Sequence, residues 1–87
     1  MTSEPKIEFP CDYLIRIIGE SRDGFRDDVL KIVRDQGVVL AALPVSVQPS
    51  RDGSYCSVRV TIVATGEDQL KALHAALMAE PAVRMVL

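Results

Sequence analysis

Tryptophan is absent, and aromatic residues make up only 5% of the 87 residues. A core built from this chain is therefore aliphatic, and an aromatic platform for stacking bases is hard to assemble. Cysteine is scarce as well. Cys11 and Cys56 share no CxxC or metal-ligand spacing. Each opens an apolar strand, and the two strands are expected to run antiparallel. Their starts then fall at opposite ends of a sheet, so a disulfide is not expected. Free thiols point to a reducing compartment. Histidine occurs once, at His74, with no Cys, Asp or Glu at ligand spacing on its helical face. The longest apolar run, Val38 to Leu43, stops at Pro44, far short of the ~20 residues that cross a bilayer. Met1 to Phe9 carries no apolar leader segment. These absences predict a cytoplasmic protein with no membrane contact and no cofactor.

What is present suits one domain. Apolar residues reach 48%, and the net charge is −2. Such a chain can fill a single small core. It has no global attraction to nucleic acid or to an anionic membrane.

Residues 1–8 read as a loose tail and residues 9–87 as a single domain. Tyr13 to Ile18 is rich in β-branched and aromatic residues and predicts a first strand, ended by Gly19. Ser21 is placed to cap a helix in which Phe25, Val29, Ile32 and Val33 recur at helical spacing. Gly37 closes that helix. Leu43, Val45 and Val47 alternate with polar residues or proline. They predict a second strand, placed at a sheet edge by Pro44 and Pro49. Asp52-Gly53 reads as a hairpin turn. Cys56 to Ala64 alternates cleanly and predicts a third strand. Thr65 and Asp68 resemble a capping box ahead of a helix striped by Leu70, Leu73 and Leu77. Pro81 ends it, and Val83 to Leu87 predicts a fourth strand.

Strand, helix, strand, strand, helix, strand with right-handed crossovers selects an α+β, ferredoxin-like βαββαβ sandwich. Its antiparallel sheet takes the order 4-1-3-2, with both helices on one face and the other face bare.

Phe9-Pro10, Gly19, Pro49-Ser50, Gly53, Tyr55, Ser57-Val58, Ala64-Thr65, Gln69 and the terminal Val83-Arg84-Met85-Val86-Leu87 together resemble the bacterial DUF493 (UPF0250) family. The likeness runs from Phe9 to Leu87. It implies a fold similar to the ACT regulatory domains, which bind amino acids or similar small effectors, usually as dimers. It carries no catalytic residues with it. In ACT domains the effector sits near the turn after the first strand. Gly19, Glu20 and Ser21 occupy that place here, where the Glu20 carboxylate suits an amine or plain solvent.

The bare sheet face is the other candidate. By alternation Arg16, Arg59 and Arg84 point away from the helices on three neighbouring strands, among Leu14, Ile18, Val63 and Val86. Guanidiniums among aliphatics suit a carboxylate, a phosphate or an acidic protein surface. They equally suit plain solubilisation of an open face. Exposed apolar residues there also favour a homodimer. RNA-binding modules of this architecture stack bases on aromatics of the first and third strands. Only Tyr55 is on offer, with Tyr13 on the core side, so nucleic acid is not expected.

Asp27-Asp28 and Glu67-Asp68 are adjacent carboxylates near helix N-termini. They favour the dipole and make poor acid–base pairs. The hairpin stretch Ser50 to Tyr55 is explained by turn chemistry. The function expected is a non-enzymatic regulatory or adaptor domain, binding a small anionic metabolite or amino acid as ACT domains do. The alternative is a protein-interaction module with no small ligand.

Overall fold

The computed structural model describes residues 9–87; the tail assigned to residues 1–8 lies outside them. The elements run β1 (Cys11–Glu20), α1 (Phe25–Asp35), β2 (Val39–Leu40), β3 (Ser46–Pro49), β4 (Tyr55–Ala64), α2 (Glu67–Met78) and β5 (Val83–Val86). The sheet order is β2-β4-β1-β5, and β3 pairs with β4 beyond the end of β2. With β2 and β3 counted as one interrupted edge strand, this is the expected order. Every pairing is antiparallel.

The centre of the sheet is a ten-rung ladder between β1 and β4, from Cys11 opposite Ala64 to Glu20 opposite Tyr55. Side chains alternate along both strands. Ile15, Ile17, Val58, Val60 and Ile62 turn inward and are almost wholly buried. Phe25, Val29, Leu30 and Val33 of α1 and Leu73 and Leu77 of α2 close over them in one cluster. Each such side chain contributes about 1.5–3 kcal/mol through burial. Both helices therefore sit on one face and leave the other open.

Arg22 ties the two helices together. Its guanidinium reaches Asp28 of α1 at 2.9 Å and Glu80, just beyond α2, at 3.2 Å.

Five local expectations are corrected. The second strand is not one stretch from Leu43. The strand there is β3, from Ser46 to Pro49, and an unexpected short β2 at Val39–Leu40 precedes it, divided from it by a tight turn at Ala41 to Leu43 in which the Leu43 N–H donates to the Ala41 carbonyl at 2.7 Å. Ser21 does not cap α1; Gly24 holds the N-cap with φ 81°, and the Ser21 N–H instead donates to the Ser54 carbonyl at 3.1 Å. Thr65 and Asp68 form no capping box, because Gly66 is the N-cap. The Gln69 side chain reaches back to accept from the Thr65 N–H at 2.7 Å.

Gly19 does not end β1, which continues through Glu20. A Cβ at position 19 would collide with the Ala82 carbonyl and the Phe25 ring, so only glycine lets the strand pass. The last correction concerns β5. Its register against β1 slips between Ile18 and Gly19, leaving Arg84 as an extra residue. Val86 then lies opposite Ile17 and packs on the core, and Met85, opposite Ile18, takes the open face.

Candidate functional site

The open face can be read rung by rung. At one end Val39, Val63 and Asp12 lie abreast, followed by Thr61 and Leu14. Ser46, Arg59 and Arg16 form the central rung. The backbone of Leu87 continues it, exchanging hydrogen bonds with Arg16 at 3.1 and 2.8 Å. Gln48, Ser57, Ile18 and Met85 come next, and Tyr55 and Glu20 close the face.

Arg16 and Arg59 are thus directly opposed. Arg16 spends its backbone groups on Leu87, so its pairing with Arg59 is the non-hydrogen-bonded kind. There the side chains stand closest, with Cβ atoms about 4.5–5.5 Å apart. Like charges so placed repel. Among the described residues neither guanidinium has a carboxylate within 4.0 Å. Around the pair the face is apolar and wet: Leu14 is 59% exposed, Met85 48% and Leu87 59%.

Arg84 does not join this pair. Its guanidinium is bonded to the Glu20 carboxylate and to the Pro81 carbonyl at 3.3 Å, at the far end of β1. Glu20 is thereby engaged. The bare Cα of Gly19 is covered by the Phe25 ring and the Ala82 carbonyl. Ser21 is exposed, with its N–H bonded to Ser54. So Glu20 and Gly19 in the turn after β1 are engaged by the protein's own groups, whereas the guanidiniums of the arginine pair have no carboxylate partner among the described residues.

Two depressions flank these features. A hollow of about 250 Å³ lies beside the pair, lined by Ile18, Gln48, Pro49, Ser50, Tyr55, Cys56 and Ser57. A larger groove of about 380 Å³ runs between α2 and β1 on the helical side, with His74 at its rim.

Other candidates are accounted for locally. Cys11 and Cys56 are free thiols at opposite ends of the β1–β4 ladder. Burial pushes the Cys56 thiol pKa up, away from the thiolate a nucleophile needs. In the hairpin the Asp52 carboxylate accepts from the Ser54 N–H at 3.0 Å and the Ser50 hydroxyl at 2.8 Å. These bonds hold its pKa below the ordinary aspartate value. Among the described residues there is no buried polar side chain and no cluster of three metal-ligating groups. No helix among them is long and apolar enough to cross a membrane.

A family model described as "Protein of unknown function (DUF493)" matches residues 4–87. The chain belongs to this family. Relatives include a UPF0250 protein of Nitrosomonas europaea, 42% identical over 87 residues and covering 100% of both chains. Another, from Azotobacter vinelandii, is 43% identical over 84 residues, 95% of this chain and 91% of its own. Among solved structures, H. pylori protein HP0495 superposes with a TM-score of 0.73 at 16% identity, over 99% of this chain and 90% of that one. The ACT domain of the Chlorobium tepidum GTP pyrophosphokinase superposes with a TM-score of 0.66 at 22% identity, over 88% of this chain and 97% of that one. At such identities the structural likeness concerns the fold alone. This DUF493 chain shares with the ACT domain the arrangement of an open antiparallel sheet and two helices.

Sequence reasoning missed Met85 and Leu87 on the open face. Their placement depends on the extra residue in β5, for which the sequence has no glycine or proline marker. It also missed the groove that α2 forms with β1 and the C-terminal residues Val86 and Leu87.

Proposed function

We propose that this chain is a non-catalytic regulatory or adaptor domain that binds an acidic protein partner through its open sheet face. One observation carries the reading. Arg16 and Arg59 stand directly opposed without a carboxylate among the described residues, in a field of exposed Leu14, Met85 and Leu87. A partner carboxylate between the two guanidiniums relieves their repulsion and accepts charge-assisted hydrogen bonds. Covering the surrounding aliphatic side chains adds the apolar term. The face is broad and open, which suits a protein surface better than a small molecule needing enclosure. A second copy docked face to face on a two-fold axis at the pair sets arginine against arginine, so an acidic partner fits better than a homodimer.

The hollow next to the pair favours a second reading, a small anionic metabolite or amino acid. Its carboxylate meets the arginines and its body rests against Gln48, Ser57 and Tyr55.

Amide NMR separates these readings. The chain is titrated with a glutamate-rich peptide and, separately, with a pool of amino acids and small carboxylates. The first reading expects shifts centred on Arg16 and Arg59 with the peptide, lost when both are changed to Glu. Shifts around Gln48 and Ser57 with the small-molecule pool favour the second. A spectrum silent to both removes the arginine pair as a site.

A further inference from the structure

The free edge of β1 invites a different partner. β5 is short, and its pairing reaches only from Gly19 to Ile17, extended to Arg16 by the Leu87 backbone. Cys11 to Ile15 thus have β4 on one side and, among the described residues, nothing on the other. Arg16 and Glu20 donate their N–H groups toward the β5 side, to Leu87 and Ala82. By alternation Leu14 and Asp12 present their N–H and C=O groups to the same, empty side. An unpaired strand edge is a template for another strand.

The groove lies directly alongside that edge on the helical face. Ile15, Leu73 and Leu77 form its buried floor, Tyr13 and Leu70 its walls, Val86 and Leu87 its end toward β5, and Lys71 and His74 its exposed rim. We propose that the edge and the groove together take an extended segment of a partner protein. It is added antiparallel to β1 as a further strand in line with β5. Backbone groups of the segment pair with Leu14 and Asp12. Two apolar side chains at alternate positions, opposite Ile15 and Tyr13, enter the groove, and a carboxylate meets Lys71. This is strand addition with side-chain pockets. Lys71 has no acidic partner among the described residues. A second copy paired edge to edge about a two-fold axis brings its own Lys71 to the same side of the joint. The charge therefore selects an acidic segment over self-association. The surface uses the backbone groups of Leu14 and Asp12 where the open-face reading uses the Leu14 side chain, and it does not depend on the arginine pair.

The test is selection of random dodecapeptides displayed on phage against the intact chain, followed by amide exchange with the best synthetic peptide. Enrichment of alternating apolar residues with a flanking acid is expected, together with exchange protection of Asp12 and Leu14. Leu14→Pro removes a donor on the free side while leaving the β4 ladder intact, and should abolish binding. Should that variant fail to fold, Lys71→Glu on the exposed rim should weaken binding about fivefold, the scale of an exposed charge pair. Selected peptides that map to Arg16 and Arg59 would overturn the groove and leave the open-face reading standing. So would an empty selection overturn it. Protection of Asp12 and Leu14 in the free chain at every dilution means its own residues fill the edge. Protection rising with chain concentration means a second copy does. Either result defeats the proposal.

Discussion

The two faces of the β1–β4 ladder are made by the same residues in alternation, yet they meet different surroundings. Inward, Ile17, Val58 and Ile62 are 0% exposed beneath the helices. Outward, Leu14 is 59% exposed beside Arg16 and Arg59. The inner face needs no further occupant. The outer face keeps aliphatic side chains in water next to two repelling cations, a combination that favours a covering partner. The difference teaches that here the packing that stabilises the fold is concentrated on one side of a strand, while the side one residue away, where we place recognition as a proposal, stays open.

The largest effect should come from Ile17→Ala, about 2–5 kcal/mol of lost stability in denaturant unfolding. Leu14→Ala, three residues away on the outer face, should stay within about 0.5 kcal/mol. Equal losses would mean that the outer face is as closely packed as the inner one. Gly19→Ala comes next. The new methyl group must displace the Phe25 ring or the Ala82 carbonyl, so a loss of about 1–3 kcal/mol is expected by thermal unfolding. Arg59→Ser should change stability by no more than about 0.5 kcal/mol, in the stabilising direction, because it removes a like-charge contact. A clear destabilisation would show that the arginine stems hold the face together.

The smallest effect is a pH dependence in the hairpin. The Asp52 pKa is lowered in the folded chain by the Ser54 N–H and Ser50 hydroxyl. Its contribution is therefore present above the ordinary aspartate pKa and fades as pH falls through the lowered folded value. Protection of the Ser54 and Tyr55 amides, measured against their intrinsic exchange rates, should fall in that acidic range, and Asp52→Asn should flatten the response.

Much of this architecture was legible in the sequence. The period-two pattern of Cys56 to Ala64 predicts a strand with one buried face, and that strand runs through the middle of the sheet. The family likeness quoted from Phe9-Pro10 to Leu87 led to DUF493, which the family comparison bears out. Alternation also brought Arg16 and Arg59 to one face, because both strands are regular through the rung that joins them. Irregularity defeated it elsewhere. The extra residue in β5 moved Val86 inward, and the turn at Ala41 to Leu43 cut the edge strand in two. Ser21 looked like a cap because its residue type suits one. The helix instead begins after the left-handed Gly24, a tertiary choice that local propensity does not record.

The long β1–β4 ladder has a temporal consequence. More than half of the chain separates Cys11 from Ala64, and the rungs nearest each other in sequence, Glu20 and Tyr55, are still divided by α1 and the whole edge strand. Closing such loops costs entropy before any rung is gained, so the ladder forms late compared with the helices. During synthesis β1 emerges long before β4 and waits with both of its edges bare. For that interval the nascent chain displays Tyr13 to Ile18, a stretch rich in β-branched and aromatic residues, and early chaperone contact is expected to fall there.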